Sequence, residues 1–362
     1  MNDPLFVTKS YLPDPAEYHE QLKRIWKTGV LTNDGPLGRE LEAGLRNYLN
    51  LDYIKFTTNG TVVLQMALKA LTITGEVITT PFSYVATTNA ILWENCTPIF
   101  ADIKADDFNI DPDKIEPLIT ERTQAIMATH VYGNACHVER IKEIADRHNL
   151  KVIYDAAHTF GATYKGRSIL SYGDLSTCSF HATKVFHTIE GGCIVSHDEE
   201  MNQKLHNYRS FGHRNDDYYS VGINAKNSEF HAAMGLVMLP KVDGLIAKRR
   251  QVAGLYDARL NFARLKRPTL RDGMKYNYAY YPVVFESEEV LLRVKDALIA
   301  DGITPRRYFY PSLNKLDFLP EASKQACPVS EDFALRVLSL PFHPELPETD
   351  VERVCRIINA NV

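Results

Sequence analysis

Lys184 closes the run Cys178-Ser179-Phe180-His181-Ala182-Thr183-Lys184, and Ile189-Glu190-Gly191-Gly192 follows it. Its neighbours Ala182, Thr183 and Val185 are small and neutral. Lysine seldom sits in such company without a partner or a task. A separate acid lies upstream in Val152-Ile153-Tyr154-Asp155-Ala156-Ala157-His158. A primary amine can condense with an aldehyde. A carboxylate can keep a pyridine nitrogen protonated, so that the ring accepts electrons from a carbanion. Those are the two protein groups that pyridoxal phosphate needs. The pair points to Lys184 as nucleophile and Asp155 as partner of the ring nitrogen. The bland readings are a surface lysine in a loop and a helix N-cap. The two residues together weigh against both.

Other segments carry groups that suit the same cofactor. Thr58-Asn59-Gly60-Thr61 lies between a strand pattern and a helix pattern. Backbone N–H groups at a helix start, with the Thr61 hydroxyl beside them, form a phosphate site. Taken alone, a strand–Asn-Gly–helix junction is more often only a turn. Tyr84, in Pro81-Phe82-Ser83-Tyr84-Val85-Ala86-Thr87, is an aromatic just past a strand end that can stack on a flat ring. Taken alone it is a core or lid aromatic. His158 stands three residues after Asp155, in reach of a cofactor oxygen; by itself it is a structural histidine. Glu190-Gly191-Gly192 supplies a turn that lets backbone approach closely.

The elements that must position these groups alternate. Short apolar runs at Tyr53–Phe56, Glu76–Thr80, Thr97–Ala101, Gln124–His130, Lys151–Tyr154, Ser176–Phe180 and Gly192–Ser196 read as strands. Helical patterns fit at about 61–71, 84–94, 138–148 and 198–209. Alternation of this kind predicts an α/β fold with a large, mostly parallel sheet covered by helices. Such sheets hold ligands beyond the carboxyl ends of their strands. Asn59, Pro81, Asp155 and Lys184 all fall there, so separate segments converge on one crevice. From Ser228 a longer helical stretch runs to about Arg259. A second unit then begins, with a strand at Tyr280–Phe285, Ser287 as N-cap, Gly302 as C-cap and a last helix near Asp350. The division expected is 1–240 for the large domain, with its N-terminal segment, and 241–362 for a smaller α+β domain.

The 362 residues suit one large and one smaller domain. Net charge is −4, with no block of like charge, which argues against a nucleic-acid or anionic-membrane surface. The start, Met1-Asn2-Asp3-Pro4-Leu5-Phe6, lacks a basic and then apolar pattern, so no signal peptide is expected. No apolar run approaches about 20 residues, so no membrane span is expected. The six cysteines include no C-x-x-C pair and read as reduced core thiols of a cytoplasmic chain. His130, His137, His148 and His158 fall on different elements, so no metal site is expected.

These segments, in this order, resemble the DegT/DnrJ/EryC1/StrS group of pyridoxal-phosphate-dependent nucleotide-sugar aminotransferases. The resemblance runs through Leu31-Thr32-Asn33-Asp34-Gly35-Pro36-Leu37, the segments above, and Gly222-Ile223-Asn224-Ala225-Lys226. It continues in Thr304-Pro305-Arg306-Arg307-Tyr308-Phe309 and Ser339-Leu340-Pro341-Phe342-His343-Pro344. The joined run ending in Lys184 and resuming at Glu190-Gly191-Gly192 is its most specific part.

The resemblance implies the aspartate-aminotransferase fold (fold type I), with active sites shared across a homodimer. It implies Lys184 as the cofactor-bearing lysine and proton shuttle, Asp155 as the ring-nitrogen partner and Tyr84 as the stacked aromatic. Gly60, Thr61 and Ser179 are implied phosphate ligands, and His158 a neighbour of the cofactor oxygen. Asn224 is implied as a phosphate ligand given by the neighbouring subunit. Thr32 and the Arg306–Tyr310 segment are implied sugar-nucleotide contacts. Two positions depart from the group's common pattern. His187 stands where asparagine is frequent, and Asn227 where methionine is usual. The lysine at 184 argues against the sugar 3-dehydrase branch, which carries histidine there.

The activity implied is amino transfer from glutamate to a keto sugar carried on a nucleotide. The expected substrate is dTDP-4-keto-6-deoxyglucose, giving dTDP-4-amino-4,6-dideoxyglucose for surface-polysaccharide or antibiotic sugars. A 3-keto isomer is the alternative. Two other classes stand beside it: another pyridoxal phosphate enzyme, and a non-catalytic regulator on the same fold. The sugar segments of the second unit argue against the first, and the intact Lys184 and Asp155 against the second.

Overall fold

A computed structural model describes residues 4–362. Seven strands form the central sheet: β1 (Tyr53–Thr57), β2 (Glu76–Thr79), β3 (Thr97–Phe100), β4 (Thr123–Thr129), β5 (Lys151–Asp155), β6 (Leu175–Ser179) and β7 (Gly192–Ser196). Their order is β1-β7-β6-β5-β4-β2-β3. β7 runs antiparallel to both neighbours, and the remaining pairings are parallel. Parallel strands are covered on both faces, which is why their sequences are near-continuous apolar runs.

The helices that cover the sheet are α1 (Pro15–Thr28), α2 (Pro36–Leu49), α3 (Gly60–Ala70), α4 (Ala86–Trp93), α5 (Val138–His148), α6 (Glu199–Arg209) and α7 (Glu229–Met238). Side chains alternate along each strand. Val77, Ala125, Met127, Ile153 and Leu175 meet α3, α4 and α6. Ile78, Ile126, Ala128, Val152 and Tyr154 meet α5 on the other face. Ile54, Phe56, Cys193 and Val195 pack with α1, α2 and α7. The six cysteines are buried and unpaired.

Pro240 interrupts the helical stretch that begins at Glu229 with a short 3-10 turn, and α8 (Val242–Arg259) continues it. Taken together, Glu229–Arg259 is long and apolar enough to cross a membrane. Its apolar side chains instead fill two cores: Ala233, Met238 and Leu245 the first, Val252 and Tyr256 the second. The second lobe adds a two-stranded antiparallel pair, β8 (Pro282–Val284) and β9 (Val337–Ser339), with α9 (Glu288–Ala300), α10 (Pro328–Arg336) and α11 (Glu348–Asn361). Ser287 caps α9 by accepting from the Val290 N–H at 3.2 Å, and Gly302 follows its end at φ +76°. The N-terminal strand Leu5–Phe6 pairs in parallel with Ile303–Thr304, and Leu5 joins the second core. Chain order places these residues with the first lobe; the strand pairing attaches them to the second.

The two lobes interlock through aromatic rings. Phe82 meets Phe309 edge-on at 5.7 Å, and Phe108 meets Phe333 at 4.6 Å. This contact carries the 306–309 segment over the carboxyl ends of the strands. Register completes the rim. Thr57, Gly192 and Ser179 are successive partners across β1, β7 and β6. Thr129, Asp155 and Thr177 are successive partners across β4, β5 and β6.

Candidate active site

Asp155 is the last residue of β5, and its side chain is buried. No helix follows it. Residues 156–162 form turns, and Oδ1 accepts the Ala157 N–H at 3.1 Å as a turn cap. Oδ2 accepts a 2.6 Å hydrogen bond from the Thr87 hydroxyl on α4. That hydroxyl is bonded to Ser83 Oγ at 3.0 Å, which is bonded to Thr129 Oγ1 at 3.1 Å. Burial pushes the Asp155 carboxyl above its ordinary value, while Thr87, the Ala157 N–H and the Lys184 charge pull it back.

Lys184 follows β6 in a tight turn, where its N–H donates to the His181 carbonyl at 2.9 Å. Its Nζ donates to the Tyr280 hydroxyl at 3.4 Å. The loop returns into β7 through two glycines with no room for a side chain. A Cβ on Gly191 would lie 2.0 Å from Thr188 Oγ1, and one on Gly192 would lie 2.6 Å from the Asn59 carbonyl. Asn59 caps α3 by accepting from the N–H groups of Thr61 (3.0 Å) and Val62 (2.9 Å). Gly60 lets the start of α3 press against the end of β6, since a Cβ there would sit 2.7 Å from the Ser179 Cβ. Gly60, the Thr61 hydroxyl and Ser179 thus share one corner.

His158 is buried, and Phe309 stacks on it at 5.9 Å with planes 5° apart. Burial, and secondarily the Lys184 charge, hold its imidazole well below the ordinary histidine range, so it is neutral. Among the described residues its buried Nδ1 has no hydrogen-bond partner. Tyr84, largely exposed, also lines the cavity.

One cavity of about 310 Å³ gathers Gly60, Thr61, Tyr84, Asp155, His158, Ser179 and Lys184, with Arg306 reaching in from the second lobe. Three expected residues lie outside its lining. Thr32 is exposed, its hydroxyl donating to the Asn227 carbonyl at 3.5 Å. Asn224 is exposed, and its Oδ1 accepts from Lys226 Nζ at 2.7 Å. Tyr310 is exposed under the Arg307 guanidinium, 3.6 Å from its ring centre. The sequence reading did not single out Ser83, Thr87, Tyr280, Tyr308 or Phe309 as individual site residues. Ser83 and Thr87 lay inside a quoted segment, and Tyr308 and Phe309 beside Arg306, but which side chains face inward depends on helix phase and lobe packing.

Residues 14–359 match the DegT/DnrJ/EryC1/StrS aminotransferase family. The chain belongs to that family. It is 40% identical to the dTDP-4-amino-4,6-dideoxy-D-glucose transaminase of Shigella dysenteriae, over 99% of both chains. It is 38% identical to the enzyme of the same description from Escherichia coli, again over 99% of both. The solved structure of DesI with its TDP-sugar product superposes with a TM-score of 0.94 at 32% identity, covering 99% of this chain and 93% of that one. The protein is a pyridoxal-phosphate-dependent sugar aminotransferase of the aspartate-aminotransferase fold.

The residues present fit the family's cofactor. A buried carboxylate whose hydrogen bonds come from neutral donors faces the cavity and is suited to a protonated ring nitrogen. The orphaned His158 Nδ1 awaits a polar partner. The Gly60–Ser179 corner offers a helix start and two hydroxyls to a phosphate.

Proposed function

We propose that this enzyme moves the amino group of glutamate to C4 of dTDP-4-keto-6-deoxyglucose, giving dTDP-4-amino-4,6-dideoxyglucose. The observation that carries the amino transfer is that Lys184 and Asp155 line one cavity with Arg306 of the second lobe. The identity of about two residues in five to transaminases of that description, over the whole chain, supports the choice of sugar.

When bound, pyridoxal phosphate supplies the aldehyde and the electron-accepting ring. Lys184 Nζ is the base that removes the proton from Cα of the amino donor and later returns one to the sugar carbon. Asp155, charged and kept from water, holds the proton on the ring nitrogen. The Thr87 hydroxyl fixes the orientation of that carboxylate. Gly60, Thr61 and Ser179 hold the phosphate, and Tyr84 covers a ring face. Neutral His158 can offer or accept a hydrogen bond through its buried, unpartnered Nδ1. Arg306 places a fixed positive charge where the diphosphate of a nucleotide sugar would enter. Thr32 and Tyr310 extend that contact, and Asn224 serves the phosphate of a partner subunit in a homodimer. The product would serve surface-polysaccharide or antibiotic sugar synthesis in the cytoplasm.

The test is to incubate purified protein with pyridoxal phosphate, glutamate and either dTDP-4-keto-6-deoxyglucose or its 3-keto isomer, then identify the amino sugar. The 4-amino product is expected. Amination of the 3-keto isomer alone would overturn the C4 assignment. A yellow protein that glutamate fails to bleach would overturn glutamate as the amino donor.

A further inference from the structure

Tyr280 comes from the second lobe, just before β8, yet its hydroxyl lies in the active-site cavity. It accepts the hydrogen bond from Lys184 Nζ at 3.4 Å. The ring stands edge-on to His158, with centres 4.9 Å apart and planes at 71°. It also walls a recess of about 10 Å³ beside the lysine.

The backbone that leads into Tyr280 is tied down at three successive residues. Asn277 Nδ2 donates to the carbonyls of His158 (2.8 Å) and Phe160 (3.0 Å), fastening this segment to the loop after Asp155. The buried Arg249 donates through one guanidinium nitrogen to the carbonyls of Tyr278 and Ala279, each at 3.4 Å. A buried guanidinium bonded to two backbone carbonyls is a costly arrangement. It fixes the two residues that precede Tyr280. The hydroxyl is therefore placed by the fold rather than by a free side chain.

We infer that Tyr280 is a positioning residue for the Lys184 amine. That role rests on the function proposed above. Lys184 would leave the cofactor in the glutamate half-reaction and return to it in the sugar half-reaction. A free lysine searches a wide arc on a flexible four-carbon stem. The Tyr280 hydroxyl accepts one of its hydrogens, keeps the amine at the cavity wall beside His158 and narrows that arc. Narrowing raises the fraction of time the amine spends near its target, the source of effective molarity.

The test compares wild type, Tyr280→Phe and Tyr280→Leu. Phenylalanine keeps the ring against His158 and deletes only the hydroxyl; leucine deletes both. Thermal unfolding of each variant reports the packing. The first readout uses the apoprotein: the rate at which added pyridoxal phosphate becomes attached to Lys184, trapped by borohydride and located by peptide mass. The second is the kcat and KM of the glutamate half-reaction. For Tyr280→Phe we expect capture and kcat both slower by about tenfold or more, with KM and the unfolding temperature near wild type. Tyr172→Phe, which deletes a hydroxyl bonded to the Tyr164 carbonyl outside the cavity, should leave capture unchanged. Wild-type capture by Tyr280→Phe would overturn the inference, as would a change confined to KM. If Tyr280→Phe alone melts early while Tyr280→Leu captures normally, the inference also falls. The capture assay needs no sugar, so failure of the sugar assignment would leave this result standing.

Discussion

Asp155 shows how a single residue is prepared for chemistry before any ligand arrives. Its carboxylate is buried, which alone favours the protonated form, and Thr87 with the Ala157 N–H counters that trend. Asparagine at 155 would fill the same space but could not hold a proton on a ring nitrogen. Asp155→Asn is expected to bind pyridoxal phosphate and to slow the glutamate half-reaction by about 10²–10⁴-fold, the range for a lost acid–base group. Stopped-flow absorbance measures that rate, and a value near wild type would leave Asp155 as a turn cap only. Thr87→Val tests the next residue out. It removes a donor worth about 1.5–3 kcal/mol to a charged acceptor. The Asp155 carboxyl, already raised by burial, would rise further. Its ionised form would then be lost at a higher pH as acidity increases. The acid limb of kcat/KM should move to higher pH in Thr87→Val, and an unmoved limb would reduce Thr87 to packing.

At the scale of elements, the loop after the lysine is held by a strap. His187 is buried, donates from Nε2 to the Tyr11 carbonyl at 2.8 Å, and accepts the Ile189 N–H at Nδ1 at 3.3 Å. Only the neutral ring serves both partners. Ile189, β-branched, sits at φ +70°, a strained conformation that needs such support. Tyr11 belongs to the segment whose earlier residues pair with the second lobe, so His187 ties both lobes to the lysine loop. Burial lowers the His187 pKa, so its contribution to stability is present above the ordinary histidine range and is lost as pH falls through the lowered value. Between about pH 7 and pH 5, wild-type stability should fall more steeply than that of His187→Ala, by at most about 1.4 kcal/mol per pH unit. Urea unfolding at each pH measures the difference; parallel curves would deny His187 this role. Much of the scaffold was legible. Apolar runs bounded by Asn, Gly and Pro marked all seven strands, and strand ends marked Asp155 and Lys184. The N-terminal helices were not read. α1 sets Tyr18, Leu22 and Ile25 against the first core at helical spacing, a signal that was present and unread. α2 repeats leucine at 37, 41, 45 and 49, a signal that was present and unread. Tyr280 was legible only as part of a strand, because its link to Lys184 spans 96 residues and depends on how two lobes close.

The whole molecule presents an apolar surface around Asn224, an expected phosphate ligand that lies outside its own cavity. Phe211, Tyr218, Tyr219, Val221 and Ile223 are exposed beside Asn224. A patch of this kind is the mark of a protein–protein surface. In the proposed two-fold dimer, Asn224 of one subunit would serve the phosphate corner of the other. Complementation between two dead variants tests this. Lys184→Ala removes the nucleophile. Asn224→Asp sets a carboxylate against the phosphate, where like charges repel; within its own chain the new acid can pair with Lys226, which already contacts position 224. Each variant should be nearly inactive alone. Equal amounts, unfolded and refolded together, give about half heterodimers by random pairing. If the site is shared, every heterodimer has one intact site and one doubly damaged site. Activity should then return to about one quarter of the wild-type value per subunit. If Lys184 and Asn224 serve the same site from one chain, each site in the mixture keeps one lesion and none recovers. Differently tagged subunits, purified through both tags, prove that heterodimers formed. Silence from that fraction would place Asn224 outside the partner's active site.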